Sequence, residues 1–173
     1  MANHVLKKMG MAAGVSTALF LAGFSSQTFA MSPFQASYQF NYNGKNLGSA
    51  TRTLSQTGNQ WSYVFAAKAG VIASATETSR FSFNNGKIGS SSFSRSSKIL
   101  VHNNTTSINF NPSAKTINTK KDSDTRSFAW KAGVLDELNA ELQIREDLKS
   151  GGLKSSYYIA DHNEVESRRF IKQ

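Results

Sequence analysis

Residues 34–42, Phe-Gln-Ala-Ser-Tyr-Gln-Phe-Asn-Tyr, decide the fold. Phe34, Ala36, Tyr38, Phe40 and Tyr42 alternate without error with Gln35, Ser37, Gln39 and Asn41. A period of two puts rings and methyls on one side of an extended chain and amides and hydroxyls on the other, which is the pattern of a strand with one buried face. Asn43-Gly44 follows, a pair that accepts the positive φ angles of a tight hairpin turn, and a second strand is expected at about Leu47 to Leu54.

The same period continues downstream. Trp61, Tyr63, Phe65 and Ala67 alternate until Gly70, and Val71, Ala73 and Ala75 lead through Glu77 to Phe81 and Phe83. Asn84-Asn85-Gly86 signals another turn, and Lys87 to Ser96 reads as a serine-rich strand around Phe93. Further strands are expected at Ser97 to His102, Thr105 to Phe110 and Ala114 to Thr119. The period then changes once: Leu135, Leu138, Leu142, Arg145 and Leu148 fall at helical spacing, with Asp136 placed to cap the start and Gly151 or Gly152 to end it. Tyr157 to Ala160, the turn Asp161-His162-Asn163 and Glu164 to Ile171 read as a last hairpin. The expected fold is all-β, a curved antiparallel meander (an open barrel or sandwich-like), with one α-helix near residues 136–150 packed by its leucine side over an open end or face.

Composition agrees with such a sheet. Ser, Thr and Asn supply 45 of residues 31–173, and Leu, Ile, Val and Phe only 30, which suits a sheet with one wet face better than an α/β domain. The absence of cysteine excludes disulfides, thiol chemistry and Cys-ligated metal sites. With 39% apolar residues and a formal charge of +9, the chain is no polytopic membrane protein.

The first thirty residues read as an address. Lys7 and Lys8 precede an apolar stretch from about Met9 to Phe24, and Thr28-Phe29-Ala30 offers the small side chains that signal peptidase accepts. The stretch is shorter than the ~20 residues of a membrane-spanning helix and is interrupted by Gly10, Gly14 and Gly23. A signal peptide over 1–30, cleaved after Ala30, is expected, with a single β-rich domain over 31–173 in the periplasm. Removing two lysines and no acid takes the charge from +9 to +7.

That charge is unevenly placed. Residues 31–121 hold ten bases (Lys45, Arg52, Lys68, Arg80, Lys87, Arg95, Lys98, Lys115, Lys120, Lys121) and one acid, Glu77, whereas residues 122–173 hold eight bases and ten acids. Should the early bases share a face, they would set up a positive field toward an anionic partner. In an exported protein that partner is an anionic lipid, lipopolysaccharide or an acidic glycan rather than nucleic acid. Lysines on wet faces and edges also serve merely to prevent aggregation.

Motifs for catalysis and metal binding are weak. There is no Gly-x-Ser-x-Gly elbow and no Ser-x-x-Lys, and the glycines at 44–48 and 86–89 lie at hairpins instead of ahead of a helix. Asp161, His162, Glu164 and Glu166 bring one nitrogen ligand, and an exposed polar turn explains them better than a metal site. Asp122-Ser123-Asp124 opens like a calcium loop, but Arg126 stands at the third ligand position, so a turn is expected. No catalytic residue, metal or cofactor is assigned.

Several segments together resemble a known family. These are Pro33-Phe34 with Tyr38-Gln39-Phe40, the hairpin Gly44-Lys45-Asn46-Leu47-Gly48, Glu77-Thr78-Ser79-Arg80-Phe81, and Val134 to Leu138 continuing to Leu142-Gln143-Ile144-Arg145. They are similar to the domain of unknown function 3108 family, exported proteins of Gram-negative bacteria. The resemblance implies a mostly antiparallel periplasmic β domain with one helix entered at Asp136, and it implies no activity. It also implies strands beyond Phe170, so that a chain ending at Gln173 is expected to lack C-terminal strands and to leave the last strand with an unpaired edge.

The functional expectation is a non-catalytic periplasmic β protein that binds an anionic or amphiphilic cell-envelope component. Tyr38, Trp61 and Tyr63, with Phe40 and Phe65, would line the apolar side, and Arg52, Arg80, Lys87, Arg95 and Lys98 would supply positive charge at a rim. The alternatives are a structural or assembly factor pairing with another envelope protein, and a hydrolase of envelope polymers using Asp122, Asp124 or Asp136.

Overall fold

A computed structural model describes residues 31–170; the expected signal peptide and its cleavage site lie outside the described residues. Eight strands follow one another in space as in sequence: β1 (Phe34–Tyr42), β2 (Lys45–Thr57), β3 (Gln60–Ala69), β4 (Ala73–Asn84), β5 (Lys87–Ile99), β6 (His102–Asn111), β7 (Thr116–Lys121) and β8 (Asp124–Ala129). Each pairs antiparallel with the next, and β1 does not meet β8, so the meander stays open. The helix α1 (Glu137–Lys149) and the hairpin of β9 (Ser156–Ala160) and β10 (Val165–Arg169) complete the chain.

The alternation read from sequence sets the two faces. Leu54, Trp61, Tyr63, Phe81, Phe93, Ile108, Phe110 and Ile117 are buried on one side, where Val134, Leu135, Leu138 and Leu142 pack onto them. At roughly 25 cal/mol per Å² of apolar surface, each such side chain contributes about 2 kcal/mol on burial. The opposite face carries Ser74, Thr76 and Arg80 on β4, Ser94, Ser96 and Lys98 on β5, and Asn103, Thr105 and Asn109 on β6, all exposed except for half-buried neighbours such as Thr78. This is the wet, hydroxyl-lined face that the composition anticipates.

Asp136 caps α1 as expected: its carboxylate accepts from the Asn139 backbone N–H at 3.0 Å, and the Ala140 N–H donates to the Asp136 carbonyl at 2.8 Å. Gly151, at φ +78°, ends the helix with the left-handed turn that a residue bearing a Cβ resists. Leu135 bonds to β9 on both sides, donating to the Tyr158 carbonyl at 3.0 Å and accepting from the Ala160 N–H at 2.8 Å, which ties the hairpin to the helix entry.

The structure corrects several expectations. Ser97 to His102 is not a separate strand: β5 runs on through Ile99, the chain turns at Leu100-Val101, and β6 begins at His102. Asp124–Ala129 forms β8, to which the sequence reading assigned no element. The ring side of β1 is only partly covered, with Phe34 half-buried but Tyr38, Phe40 and Tyr42 exposed. Leu148, placed on the apolar stripe of the helix, faces solvent. His162 lies in the β9–β10 turn but is buried, because the turn folds back onto Thr119 of β7.

Candidate functional site

The helix covers one half of the ring-bearing face and leaves the other half open. Five side-chain contacts trace where it lies. Ser79 Oγ donates to Asp136, Asn139 Nδ2 to Ser90 Oγ at 2.9 Å, the Ile88 N–H to Gln143 Oε1 at 2.7 Å, Arg52 to Glu141, and Arg95 reaches Glu137 at 3.4 Å. Gln143 also donates to the Gly86 carbonyl at 2.9 Å, so one side chain completes the backbone bonds of the β4–β5 turn.

The last row before the open half is a belt of charge. Cross-strand register sets Arg52, Phe65, Glu77, Arg95, Thr106 and Lys121 side by side on the helix side of the sheet. Arg52 bonds Tyr63 Oη at 2.8 Å as well as Glu141, and its guanidinium lies 4.9 Å from the centre of the Phe65 ring. Burial raises the Tyr63 phenol above its ordinary value, Arg52 pulls it partly back, and Glu141 adds to the rise. Arg95 Nε donates to Glu77 at 2.7 Å, and Glu137 is shared between Arg95 and Arg168 of β10, each at 3.4 Å. These pairs join sheet, helix and hairpin, although pairs this exposed contribute less than about 1 kcal/mol each.

Beyond the belt the open half is two-sided. On β1 to β4 the next row is Tyr38, Ala50, Ala67 and Ala75, paired in register. Beyond Tyr38 this row carries only methyl groups, with Ala50 buried and Ala67 and Ala75 half-buried; the hollow of about 300 Å³ over the same strands belongs to the opposite face, between Ser49, Lys68 and Ser74 and Thr51, Ala66 and Thr76. On β5 and β6 the same row continues as Ser97 and Asn104. Beside them a cavity of about 360 Å³ is lined by Arg95, Ser97, Asn104, Thr106, Lys121, Glu137 and the β9–β10 turn at Asp161, His162 and Asn163. An apolar row thus leads, along the register, to a cavity lined by two bases.

The acids of that cavity are engaged. Asp161 accepts from the backbone N–H groups of Asn163 at 2.5 Å and Glu164 at 2.9 Å. Asp136 is fully buried; burial pushes its carboxyl up to about 6, against the opposing pull of Ser79 and the Asn139 N–H. His162 is held by Thr119 Oγ1 at 3.3 Å and Asp124 at 2.9 Å, and that bond, with Arg126, keeps the Asp124 carboxyl below its ordinary value. Lys121 has no ion-pair partner among the described residues, so it is the base available to a ligand.

Compared with known proteins, the chain matches no family model, no curated protein and no solved structure.

The structure divides the candidate residues read from sequence. Arg52, Arg95 and Tyr38 lie together on the helix side, Arg52 and Arg95 in the belt and Tyr38 at the end of the alanine row. Trp61 and Tyr63 are core, Trp61 stacked on Phe81 with ring centres 6.3 Å apart. Arg80 and Lys98 point to the opposite face, and Lys87 stands at the β4–β5 turn. The early bases therefore do not share a face, because alternation sends neighbouring positions to opposite sides. Ala50, Ala67, Ala75, Asn104 and Lys121 were missed. A run of alanines at every second position of adjacent strands is the signal that could have found this row. Asp122 sits in the β7–β8 turn as expected, whereas Asp124 opens β8, and no group of three or more potential metal ligands occurs among the described residues.

Proposed function

We propose that this is a non-catalytic, exported protein that binds an anionic amphiphile of the cell envelope on the open half of its sheet. The observation that supports the reading is the amphipathic row just described. The alanine row offers dispersion contact to a chain or ring system, and the adjoining cavity offers Lys121 and Arg95, with the amide and hydroxyls of Asn104, Ser97 and Thr106, to a phosphate or carboxylate headgroup. Export after Ala30 and membership of the domain of unknown function 3108 family are part of the same proposal, carried by the Lys7-Lys8 leader and by the runs quoted from Gly44 to Gly48 and from Val134 to Arg145.

The test is equilibrium binding of a fluorescent acyl-chain probe, with a lysophospholipid as competitor. Saturable binding is expected, weakened roughly tenfold by Ala75→Trp, which covers the alanine row, and about fivefold by Lys121→Ser. Absence of saturable binding, or binding that Ala75→Trp leaves unchanged, overturns the reading.

A second reading, a factor that pairs with another envelope protein, is favoured by the free edge of β10, whose partner on one side is β9 and which has none on the other among the described residues. A stoichiometric protein partner retained without lipid would favour it.

A further inference from the structure

The two ends of the meander are built from opposite chemistry. Turns β2–β3, β4–β5 and β6–β7 consist of Gly58-Asn59, Asn85-Gly86 and Pro112-Ser113-Ala114-Lys115, residues suited to tight turns and without a large apolar side chain. At the other end, the β3–β4 turn presents Val71, 99% exposed, and Ile72, and the β5–β6 turn presents Leu100 and Val101, the latter 83% exposed. Tyr42 and Leu47 flank the β1–β2 turn at the same end and are also exposed. The Leu100 N–H donates to the Ile72 carbonyl at 2.7 Å, which holds the two apolar tips together. Leu100 takes a positive φ of 55°, a conformation that costs a branched side chain about 1–2 kcal/mol and that Gly or Asn would adopt with less strain. Single exposed apolar residues are ordinary, but a joined cluster on protruding turns is the kind of patch that marks an interaction site.

Charge identifies the occupant. Lys45, Lys68, Lys98, Lys120 and Lys121 ring this end, all exposed and none in an ion pair among the described residues. The acids there are Asp122, which accepts from the Thr105 N–H at 2.8 Å, and Asp124, held by His162 and Arg126. Apolar tips that protrude, set among lysines whose ammonium groups stay wet, match an interface of acyl chains beneath anionic headgroups. We infer that the β3–β4 and β5–β6 turns dock this end of the sheet on an anionic lipid bilayer, with Val71, Ile72, Leu100 and Val101 entering the interface and the lysines contacting headgroups. The inference goes beyond the reading of the alanine row and does not depend on it.

The experiment uses protein expressed from the full sequence and purified from the soluble fraction, sedimented with vesicles rich in phosphatidylglycerol or with vesicles of phosphatidylcholine alone. Binding to the anionic vesicles is expected, falling with added salt. Val71→Asp with Val101→Asp should weaken it at least about tenfold, Lys68→Ser with Lys98→Ser about fivefold for each lysine removed, and Ser113→Asp at the opposite end not at all. A Val71→Trp variant supplies a second readout, a blue shift in emission relative to the parent when anionic vesicles are added. Equal binding to both vesicle types, undiminished binding of the double Asp variant, or no emission shift overturns the inference; a stoichiometric complex with a protein that displaces the vesicles does so as well. Ala75→Trp separates the two proposals, since it should weaken acyl-probe binding roughly tenfold and leave vesicle binding intact.

Discussion

The covered and open halves of one sheet face are made of the same strands yet do different things. Toward the β2–β3 and β4–β5 turns, β3 and β4 point Trp61, Tyr63, Ser79 and Phe81 at a helix that seals them. A few residues along the same strands, Ala67 and Ala75 are only half-buried, and Tyr38 and Phe40 of β1 stay exposed. Alternation is a property of the strand, whereas burial is a property of what lies above it. The contrast teaches that an apolar stripe is necessary for a core but does not define one.

The largest effect expected from breaking the contrast is on stability. Phe81→Ala, in the sealed half, should cost about 3–5 kcal/mol in denaturant unfolding, while Tyr38→Ala in the open half should stay within about 1 kcal/mol. Similar losses at the two sites would erase the distinction.

The next effect is electrostatic and specific to the seal. Asp136 is enclosed, and burial pushes its carboxyl from the ordinary 3.8 up to about 6. Because the folded value lies above the unfolded one, the native state holds the proton more tightly. Its contribution is fully present below pH ~4 and is lost as pH rises through about 6, a change of about 3 kcal/mol. Chemical denaturation across that window should show the decline, and Asp136→Asn, which keeps an oxygen to cap Asn139, should flatten it. A decline of the same size in the Asn variant would assign it to another group.

The smallest effect lies on the border between the halves. A double-mutant cycle on Arg52→Met and Glu141→Gln should return a coupling under about 1 kcal/mol, since the Glu141 side chain is half exposed. A larger coupling would make the belt part of the core.

Much of this was legible in the sequence. The ring alternation from Phe34 to Phe83 fixed the faces of β1 to β4, and the leucine spacing with Asp136 placed the helix to within a residue at each end. Polar strands were harder. β8 has one large apolar residue, Phe128, so its period is invisible, and the β5–β6 boundary was misplaced because Ile99-Leu100-Val101 reads as a strand where it is mostly a turn. The lining of the open half was legible only in part, because Tyr38, Arg52 and Arg95 carry a local signal but the cavity depends on register across seven strands and on the fold-back of the His162 turn. Buried polar side chains such as Asn139 and Gln143, set between leucines of α1, gain their meaning from Ser90 and Gly86, which lie far away in sequence.

Native mass spectrometry of the protein extracted from cells under gentle conditions tests the central claim most directly. The account predicts an amphiphile retained one-to-one by the parent chain and absent from Ala75→Trp. A parent chain that flies bare, or an adduct that persists unchanged in Ala75→Trp, would contradict it.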